Sequence, residues 1–322
     1  MTYALPSETA CDTFMGGAIV GTATRCPNCV RVAVRPECLY PRGVMPSMNN
    51  WTLTQGYETR DGIVRWDRFG AGPPVVLLHG TPFSSYVWRD VAAALAADHE
   101  VYVWDMLGYG ASDKHAGQDV SPRAQALIFA ELLSHWGLQR PAVVAHDFGG
   151  AVALRAHLLH EANYERLALV DAVAHAPWGT GLFRLVRENP DVFPQLPTEV
   201  HEGALRAYVG TASHRGLADG TLSAYLAPWL GDEGQAAFYR QMAQGDESYT
   251  NDIQDSYGGL DLPVLVCWGT CDTWLPPEKG EQLAAAIPDA RICWLRGAGH
   301  LVQEDAPTQL LSALKEFLAN ER

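Results

Sequence analysis

Positive charge is scarce in this sequence. Its 322 residues include 23 Lys and Arg against 37 Asp and Glu, which leaves a formal net charge of −14 at pH 7. An acidic surface repels nucleic acid and anionic membranes, whereas a small neutral substrate meets no such barrier. No stretch reaches the roughly 18 consecutive apolar residues that a membrane-spanning helix requires. We therefore expect a small-molecule substrate and neither a nucleic-acid nor a membrane partner, and the oligomeric state stays open.

Internal repeats and low-complexity tracts are also absent. With 48% hydrophobic and 19% charged residues, the chain can bury a large core. Its length suits one large domain or one domain with an inserted module. The glycines that follow Ala145 lack the spacing of a dinucleotide-binding loop, so we expect no organic cofactor.

The cysteines form two groups: Cys11, Cys26, Cys29 and Cys38, and then Cys267, Cys271 and Cys293. The early group contains a single Cys-x-x-Cys pair, Cys26 and Cys29, which is a weak zinc signal because the outer spacing is irregular. We therefore expect no metal site and a poorly ordered extension at residues 1–47, the alternative being a zinc-linked interaction module. The later group fits buried free thiols of a protein in the reduced cytoplasm.

From Trp51 onward, apolar strand-like runs alternate with helical patterns. Such alternation predicts an α/β fold with a mostly parallel sheet. The alternation stops at about residue 173, where helical patches rich in aromatic residues replace the strands. We predict an α/β core in two parts, residues 48–172 and 259–322, with a helical cap inserted at residues 173–258.

The most informative stretch runs from Ala142 to Leu154. It is apolar, turns sharply through small residues and becomes helical, which predicts a strand, a tight turn and a helix. Asp147 lies at the bend, with Ala145 two residues before it and Gly149 two residues after it, as in a nucleophile elbow. A carboxylate stands here in place of the usual serine. With an unperturbed pKa of about 3.9 it is ionised at neutral pH, so it can attack a saturated carbon and form an ester.

Two further groups follow in the chain order of a nucleophile–acid–histidine triad. Asp272 and His300 each come just after a predicted strand, and loops at the carboxyl ends of parallel strands converge on one crevice. Taken singly, an aspartate in a loop is usually a turn former and a histidine usually has no catalytic role. Their order together with the elbow predicts that Asp147, Asp272 and His300 are catalytic. Asp171 also follows a strand and is the alternative acid.

The predicted ester needs a route to hydrolysis. Water activated by His300 can attack its carbonyl carbon, and Asp272 can hold the imidazole in the correct tautomer. The resulting oxyanion requires donors, and by position these are the backbone N–H groups of Thr81 and Phe148.

From about Trp51 to the C-terminus the chain resembles the haloalkane dehalogenase and epoxide hydrolase branch of the α/β-hydrolase superfamily, whose nucleophile is an aspartate. The resemblance rests on four motifs: HGTPFSSYVWR at 79–89, DMLGYGASDK at 105–114, HDFGG at 146–150 and GHLVQED at 299–305. It implies an α/β-hydrolase fold with a helical cap and a reaction through an aspartyl-alkyl ester. The first two motifs look most like those of dehalogenases.

The sequence departs from the dehalogenase pattern where the leaving group is held. In much of that family, halide donors come from a tryptophan after the nucleophile and an asparagine after the His-Gly pair, or from a tryptophan in the cap. This chain has Phe148 and Thr81 at the first two positions. Trp178 and Trp229 are the candidate cap residues that could compensate, although packing in the cap is the simpler interpretation of both.

Opening an epoxide needs a different helper, a phenol that protonates the leaving alkoxide. The cap contains several tyrosines, of which Tyr208 and Tyr225 are the candidates. The sequence therefore favours a dehalogenase-like hydrolase and leaves an epoxide hydrolase as the alternative. A small-ligand binding protein without turnover is the alternative of another class, because a fold does not fix a function.

Overall fold

The computed structural model describes residues 51–179 and 181–319. The predicted extension at residues 1–47 and the Cys26–Cys29 pair lie outside these residues. None of the described helices is both long and apolar enough to cross a membrane.

An eight-stranded sheet forms the centre of the described chain. Its strands are β1 (Gln55–Thr59), β2 (Gly62–Gly70), β3 (Pro74–Leu78), β4 (Glu100–Trp104), β5 (Ala142–His146), β6 (Arg166–Val170), β7 (Val264–Gly269) and β8 (Arg291–Leu295). They lie in the order β1-β2-β4-β3-β5-β6-β7-β8. The β1–β2 and β2–β4 pairs are antiparallel, and every other pair is parallel. The predicted α/β-hydrolase fold with a mostly parallel sheet is therefore confirmed.

The sequence of each strand matches its place in the sheet. β5 and β6 lie in the interior, and every one of their residues is buried, as expected for parallel strands covered on both faces. β1 and β2 form a hairpin at one edge and are more exposed. Gly62, just after the turn, has a φ of +133°, a conformation that side-chain-bearing residues rarely adopt.

Helices surround the sheet and fill the interval between β6 and β7. They are α1 (Arg89–Leu95), α2 (Pro122–His135), α3 (Phe148–Leu159), α4 (Gly181–Glu188), α5 (Thr198–Gly210), α6 (Asp219–Leu226), α7 (Gly231–Ala243), α8 (Ser248–Asn251), α9 (Pro277–Ala286), α10 (Val302–Asp305) and α11 (Pro307–Ala319). Ser121 caps α2 by accepting a hydrogen bond from the Ala124 N–H (3.3 Å), with Pro122 in the first turn. Before α1 the chain forms a 3₁₀ turn over Ser85–Trp88, which the Ser84 side chain caps by accepting the Tyr86 N–H at 3.4 Å.

Helices α4 to α8 lie between β6 and β7 without an intervening strand among the described residues. They occupy the stretch expected for the cap, whose domain boundaries stay a prediction. Hydrogen bonds join this stretch to the core. The Trp229 indole N–H donates to the Pro82 carbonyl (2.6 Å), and the Gln244 side chain bonds the backbone of Gln118 (2.9 Å) and Val120 (2.7 Å).

The three later cysteines are free, but only Cys267 is buried. Cys271 lies in the turn after β7 and Cys293 lies on β8, which pairs only with β7, so both are partly exposed. The expectation that all three are buried is wrong for these two because they lie at the margin of the sheet. The cytoplasmic location inferred from the cysteines stays a prediction.

Candidate active site

Asp147 lies at a strained turn between β5 and α3. Its φ of 51° and ψ of −121° fall outside the conformations that ordinary residues prefer. Two glycines make this turn possible. A Cβ on Gly149 would lie 2.6 Å from the His79 carbonyl oxygen, and one on Gly80 would lie 2.3 Å from the Asp147 Cβ. The elbow predicted from the sequence therefore brings the loop after β3 directly against Asp147.

The Asp147 carboxylate is held by the two predicted oxyanion donors. The Thr81 N–H donates to Oδ1 at 2.7 Å, and the Phe148 N–H lies close enough to the carboxylate to lower its pKa. Burial alone would raise the pKa of Asp147, but the close contact with His300 and its charge, together with the Phe148 N–H, hold it below its usual value. Asp147 is therefore an ionised carboxylate in a nearly dry site.

His300 lies between Asp147 and Asp272. Its Nδ1 is 2.8 Å from Asp272 Oδ2, whose other oxygen accepts the backbone N–H groups of Trp274 (2.8 Å) and Leu275 (2.9 Å). Its Nε2 is 3.3 Å from Asp147 Oδ2, an ion-pair contact without the alignment of a hydrogen bond. Burial opposes the charge of His300, but the two carboxylates outweigh it and raise its pKa well above the usual range.

His146, at the end of β5, contacts the backbone of His300. Its Nε2 lies 3.0 Å from the His300 carbonyl oxygen, so it donates a hydrogen bond there. Burial and the charge of His300 lower the pKa of His146 to about 4, which keeps the ring neutral at physiological pH. The sequence analysis did not single out this residue, although it directly precedes the nucleophile candidate.

Asp171, the alternative acid, lies close by but does not take the imidazole as its partner. It follows β6 with a φ of 41° and is completely buried. Its Oδ1 accepts the Gly269 N–H at 2.8 Å. Asp272 is thus the carboxylate that bonds His300 Nδ1, and Asp171 bonds the backbone of the β7 strand end instead.

Aromatic side chains line a small cavity over Asp147. Its aromatic walls are Phe148, Trp178, Phe183, Tyr208 and Trp274. Trp274 stacks on His300 with ring centroids 5.1 Å apart and on Tyr208 with centroids 4.5 Å apart. The sequence analysis missed Trp274 and Phe183. Trp274 could have been found from its position, because it lies only two residues after Asp272.

The candidate cap residues differ in where they lie. Tyr208 and the Trp178 ring line the cavity, but the Trp178 indole N–H donates to Thr250 Oγ1 (2.9 Å). The Trp229 N–H is bound to the Pro82 carbonyl, and the Tyr225 hydroxyl is bound to Glu304. Both indole N–H groups already have acceptors in the protein, so neither tryptophan compensates for the missing halide donors, and the packing interpretation describes them better.

A polar cluster that the sequence analysis did not anticipate lies beside Thr81. The Thr81 hydroxyl and the Tyr109 hydroxyl (3.1 Å) both donate to Oε1 of Gln241, which comes from α7. All three side chains are buried. The amide nitrogen of Gln241 has no hydrogen-bond partner among the described residues. An unused donor therefore belongs to a side chain that contacts Thr81, one of the residues lining the cavity.

Comparison with known proteins identifies the fold family. The sequence model for the alpha/beta hydrolase fold matches residues 73–307. An alpha/beta hydrolase fold protein from Burkholderia ambifaria, known from a crystal structure, is 44% identical with a TM-score of 0.80, covering 83% of this chain and 98% of that one. Haloalkane dehalogenase 2 of Mycobacterium bovis is 25% identical over 274 residues, 81% of this chain and 93% of the relative. The structure of epoxide hydrolase CorEH, 23% identical with a TM-score of 0.70 and covering 82% of this chain and 98% of that one, shares the fold.

Proposed function

The chain belongs to the α/β hydrolase fold family, and we propose that it hydrolyses a small apolar electrophile through an ester on Asp147. The observation that carries this proposal is the environment of one carboxylate. Asp147 is buried and ionised, it rests on two backbone N–H groups, and it faces the Nε2 of His300 at 3.3 Å.

In the first step, Asp147 Oδ2 attacks the substrate carbon. Oδ1 is already bound by the Thr81 N–H, so Oδ2 is the oxygen that can form the new bond. The C–O bond forms while the leaving group departs with the electron pair of the bond that breaks. Oδ1 then becomes the carbonyl oxygen of the ester and keeps the hydrogen bond from the Thr81 N–H, which with the Phe148 N–H would hold the later oxyanion.

In the second step, His300 activates water. Ester formation removes the negative charge of Asp147, which is one cause of the raised pKa of His300, so alkylation itself lowers that pKa. The neutral imidazole takes a proton from water, and the water oxygen adds to the Asp147 carbonyl carbon. Collapse of the oxyanion breaks the bond to the alkoxide oxygen, which leaves as the alcohol with a proton from His300.

The leaving group decides between the two candidate substrates. For a halide, the unpartnered Gln241 amide nitrogen beside Thr81 supplies a donor that the tryptophans do not. For an epoxide, the alkoxide needs an acid, and Tyr208 is the candidate tyrosine that lines the cavity. The dehalogenase-like reaction is our first proposal, because a buried donor without an acceptor favours an anion. The epoxide hydrolase reaction is the second.

The test is to trap the ester. In a His300→Gln variant exposed to 1-bromobutane or an epoxide, intact-protein mass should rise by the alkyl or hydroxyalkyl group, and Asp147→Asn should show no increase. Halide release and diol formation by the natural chain, measured side by side, identify the substrate class. Ligand binding, seen as a thermal shift, without product or adduct across the panel would favour the non-catalytic binding protein and overturn the proposal.

A further inference from the structure

Two buried carboxyl groups, not one, lie at the ends of neighbouring strands beside His300. β6 and β7 pair in parallel, with Val170 opposite Cys267. The next residue, Asp171, donates its backbone N–H to the Cys267 carbonyl at 3.0 Å, and its positive φ turns the chain there. The Gly269 N–H donates to Asp171 Oδ1 at 2.8 Å and the Gly269 carbonyl accepts the Asp272 N–H at 3.2 Å, so one residue of the β7 turn links Asp171 to Asp272.

Counting donors shows that the two carboxyl groups differ. Asp272 accepts two backbone N–H groups on Oδ1 and the imidazole on Oδ2. Asp171 accepts one, the Gly269 N–H, on Oδ1. Its Oδ2 is buried without a donor among the described residues, and the negative charge of Asp272 acts on it. Two neighbouring carboxylates in a buried site repel each other unless one of them keeps a proton.

Among the described residues that act on Asp171, no unpaired cation is present to neutralise it. The titratable groups that face it are Asp272 from the β7 loop, His300 from the β8 loop and Cys267 on β7. His300 already pairs with Asp272 and Asp147. The Cys267 thiol donates a hydrogen bond to Cys293, and this bond, together with burial, raises the pKa of Cys267, which therefore stays neutral. Burial and the charge of Asp272 likewise raise the pKa of Asp171 well above its usual range.

We propose that Asp171 is a positioning residue that keeps its proton and donates it to the carboxylate of Asp272. This role rests on the proposed function, in which Asp272 partners the catalytic histidine. The proton stays on the carboxyl pair and is not consumed in the reaction. A hydrogen bond from Asp171 anchors Asp272 and draws off part of its negative charge. Asp272 then stabilises the imidazolium less than an isolated carboxylate would, so His300 can return to the neutral form that activates water.

The proton can be observed directly, without substrate. Infrared spectra of the natural chain at pH 7 should contain the carbonyl band of a protonated carboxylic acid, shifted in heavy water and absent from Asp171→Asn. Asparagine is a suitable replacement because it tolerates positive φ and its amide can still donate to Asp272. A spectrum without this band, or a band that persists in Asp171→Asn, would overturn the proposal. This measurement decides the state of Asp171 even if no alkyl ester ever forms.

Single-turnover ester hydrolysis tests the positioning role. Asp171→Asn should slow hydrolysis by less than about threefold, and Asp171→Ala, which removes the donor, by about tenfold or more, with its acidic limb moved to higher pH. Asp272→Asn is the control and should leave the ester trapped. Thermal unfolding checks that each variant is folded. If Asp171→Ala does not fold, the infrared band and the hydrolysis rate of Asp171→Asn decide whether Asp171 is a proton donor. Equal loss in the Asn and Ala variants would mean that Asp171 acts as an anion and would refute the proposal.

Discussion

Asp147 and His300 shift each other's pKa in opposite directions, so their contact links stability to pH. The pKa of His300 is raised, so its contribution to stability is complete below the ordinary histidine value of about 6.5 and is lost as pH rises through the folded-state pKa. The pKa of Asp147 is lowered, so its contribution is present above about 3.9 and is lost as pH falls through the folded-state pKa.

We therefore expect the stability advantage of the natural chain over His300→Gln to decline as pH rises above about 6.5. Urea unfolding of both proteins between pH 5 and pH 9 measures this difference in the free energy of unfolding. A difference that stays constant over that range would contradict the assigned ion pair.

Gln241 offers a second test at the level of one side chain. Gln241→Met keeps the length of the side chain and removes its donor. The kcat/KM for alkyl chlorides should therefore fall about tenfold to 100-fold. Iodides should be affected less, because iodide is the better leaving group and accepts hydrogen bonds weakly. Steady-state halide release with matched alkyl chains gives the comparison.

Gln235→Met is the matched control for that substitution. Gln235 lies on the same helix, α7, but its amide nitrogen bonds the Pro194 (3.2 Å) and Leu196 (2.8 Å) carbonyls within the cap. Its substitution should reduce stability without changing the ratio between chloride and iodide. If Gln241→Met leaves that ratio unaltered, Gln241 is not the leaving-group donor.

At the scale of elements, the β5–turn–α3 unit is the part that the sequence predicts best. Its signals are local: a buried apolar run, a bend at Asp147 and two glycines. The positions of Gln241 and Trp274 could not be predicted in the same way. They depend on how α7 and the turn after Asp272 pack against the loop after β3, which no local pattern records. Short helices such as α8 and α10 were missed because four residues carry too little periodicity.

Close packing of the loop after β3 against the elbow predicts a sensitive glycine. Gly80→Ala would place a methyl group 2.3 Å from the Asp147 Cβ, so the loop or the elbow must move. We expect a loss of about 1–3 kcal/mol in the free energy of unfolding and a sharp fall in ester formation.

Gly203→Ala in α5 is the control for this substitution. A Cβ there meets open space, and alanine in a helix should stabilise by about 0.5–1 kcal/mol. Chemical denaturation and burst-phase alkylation measure both variants. Undiminished alkylation in Gly80→Ala would mean that the elbow tolerates a wider separation from the loop.

At the scale of the whole molecule, substitutions of the two candidate tyrosines should have different effects. Loss of the Tyr225 hydroxyl should lower stability, and loss of the Tyr208 hydroxyl should change the reaction. The Tyr225 hydroxyl donates to Glu304, which also pairs with Arg89 at 2.7 Å, so this group ties α6 to the core. Tyr225→Phe should cost about 1.5–3 kcal/mol of stability, as expected for a hydrogen bond to a charged group, with the leaving-group preference retained.

Tyr208→Phe should instead lower diol formation selectively if the substrate is an epoxide, because Tyr208 lines the cavity. Its effect on halide release should be small. Thermal unfolding together with the two product assays separates these outcomes, and a Tyr225→Phe variant that lost diol formation alone would point to the wrong tyrosine.

The Trp229–Pro82 hydrogen bond joins the cap to the residue that follows Thr81. Moving the helices that follow β6 in the chain to admit a molecule would pull on the same short loop that presents the Thr81 amide to Asp147. Substrate entry and ester formation would then require different conformations. In the open conformation the protein exchanges substrate and product while the Thr81 N–H is displaced, and in the closed conformation that N–H again donates to Asp147.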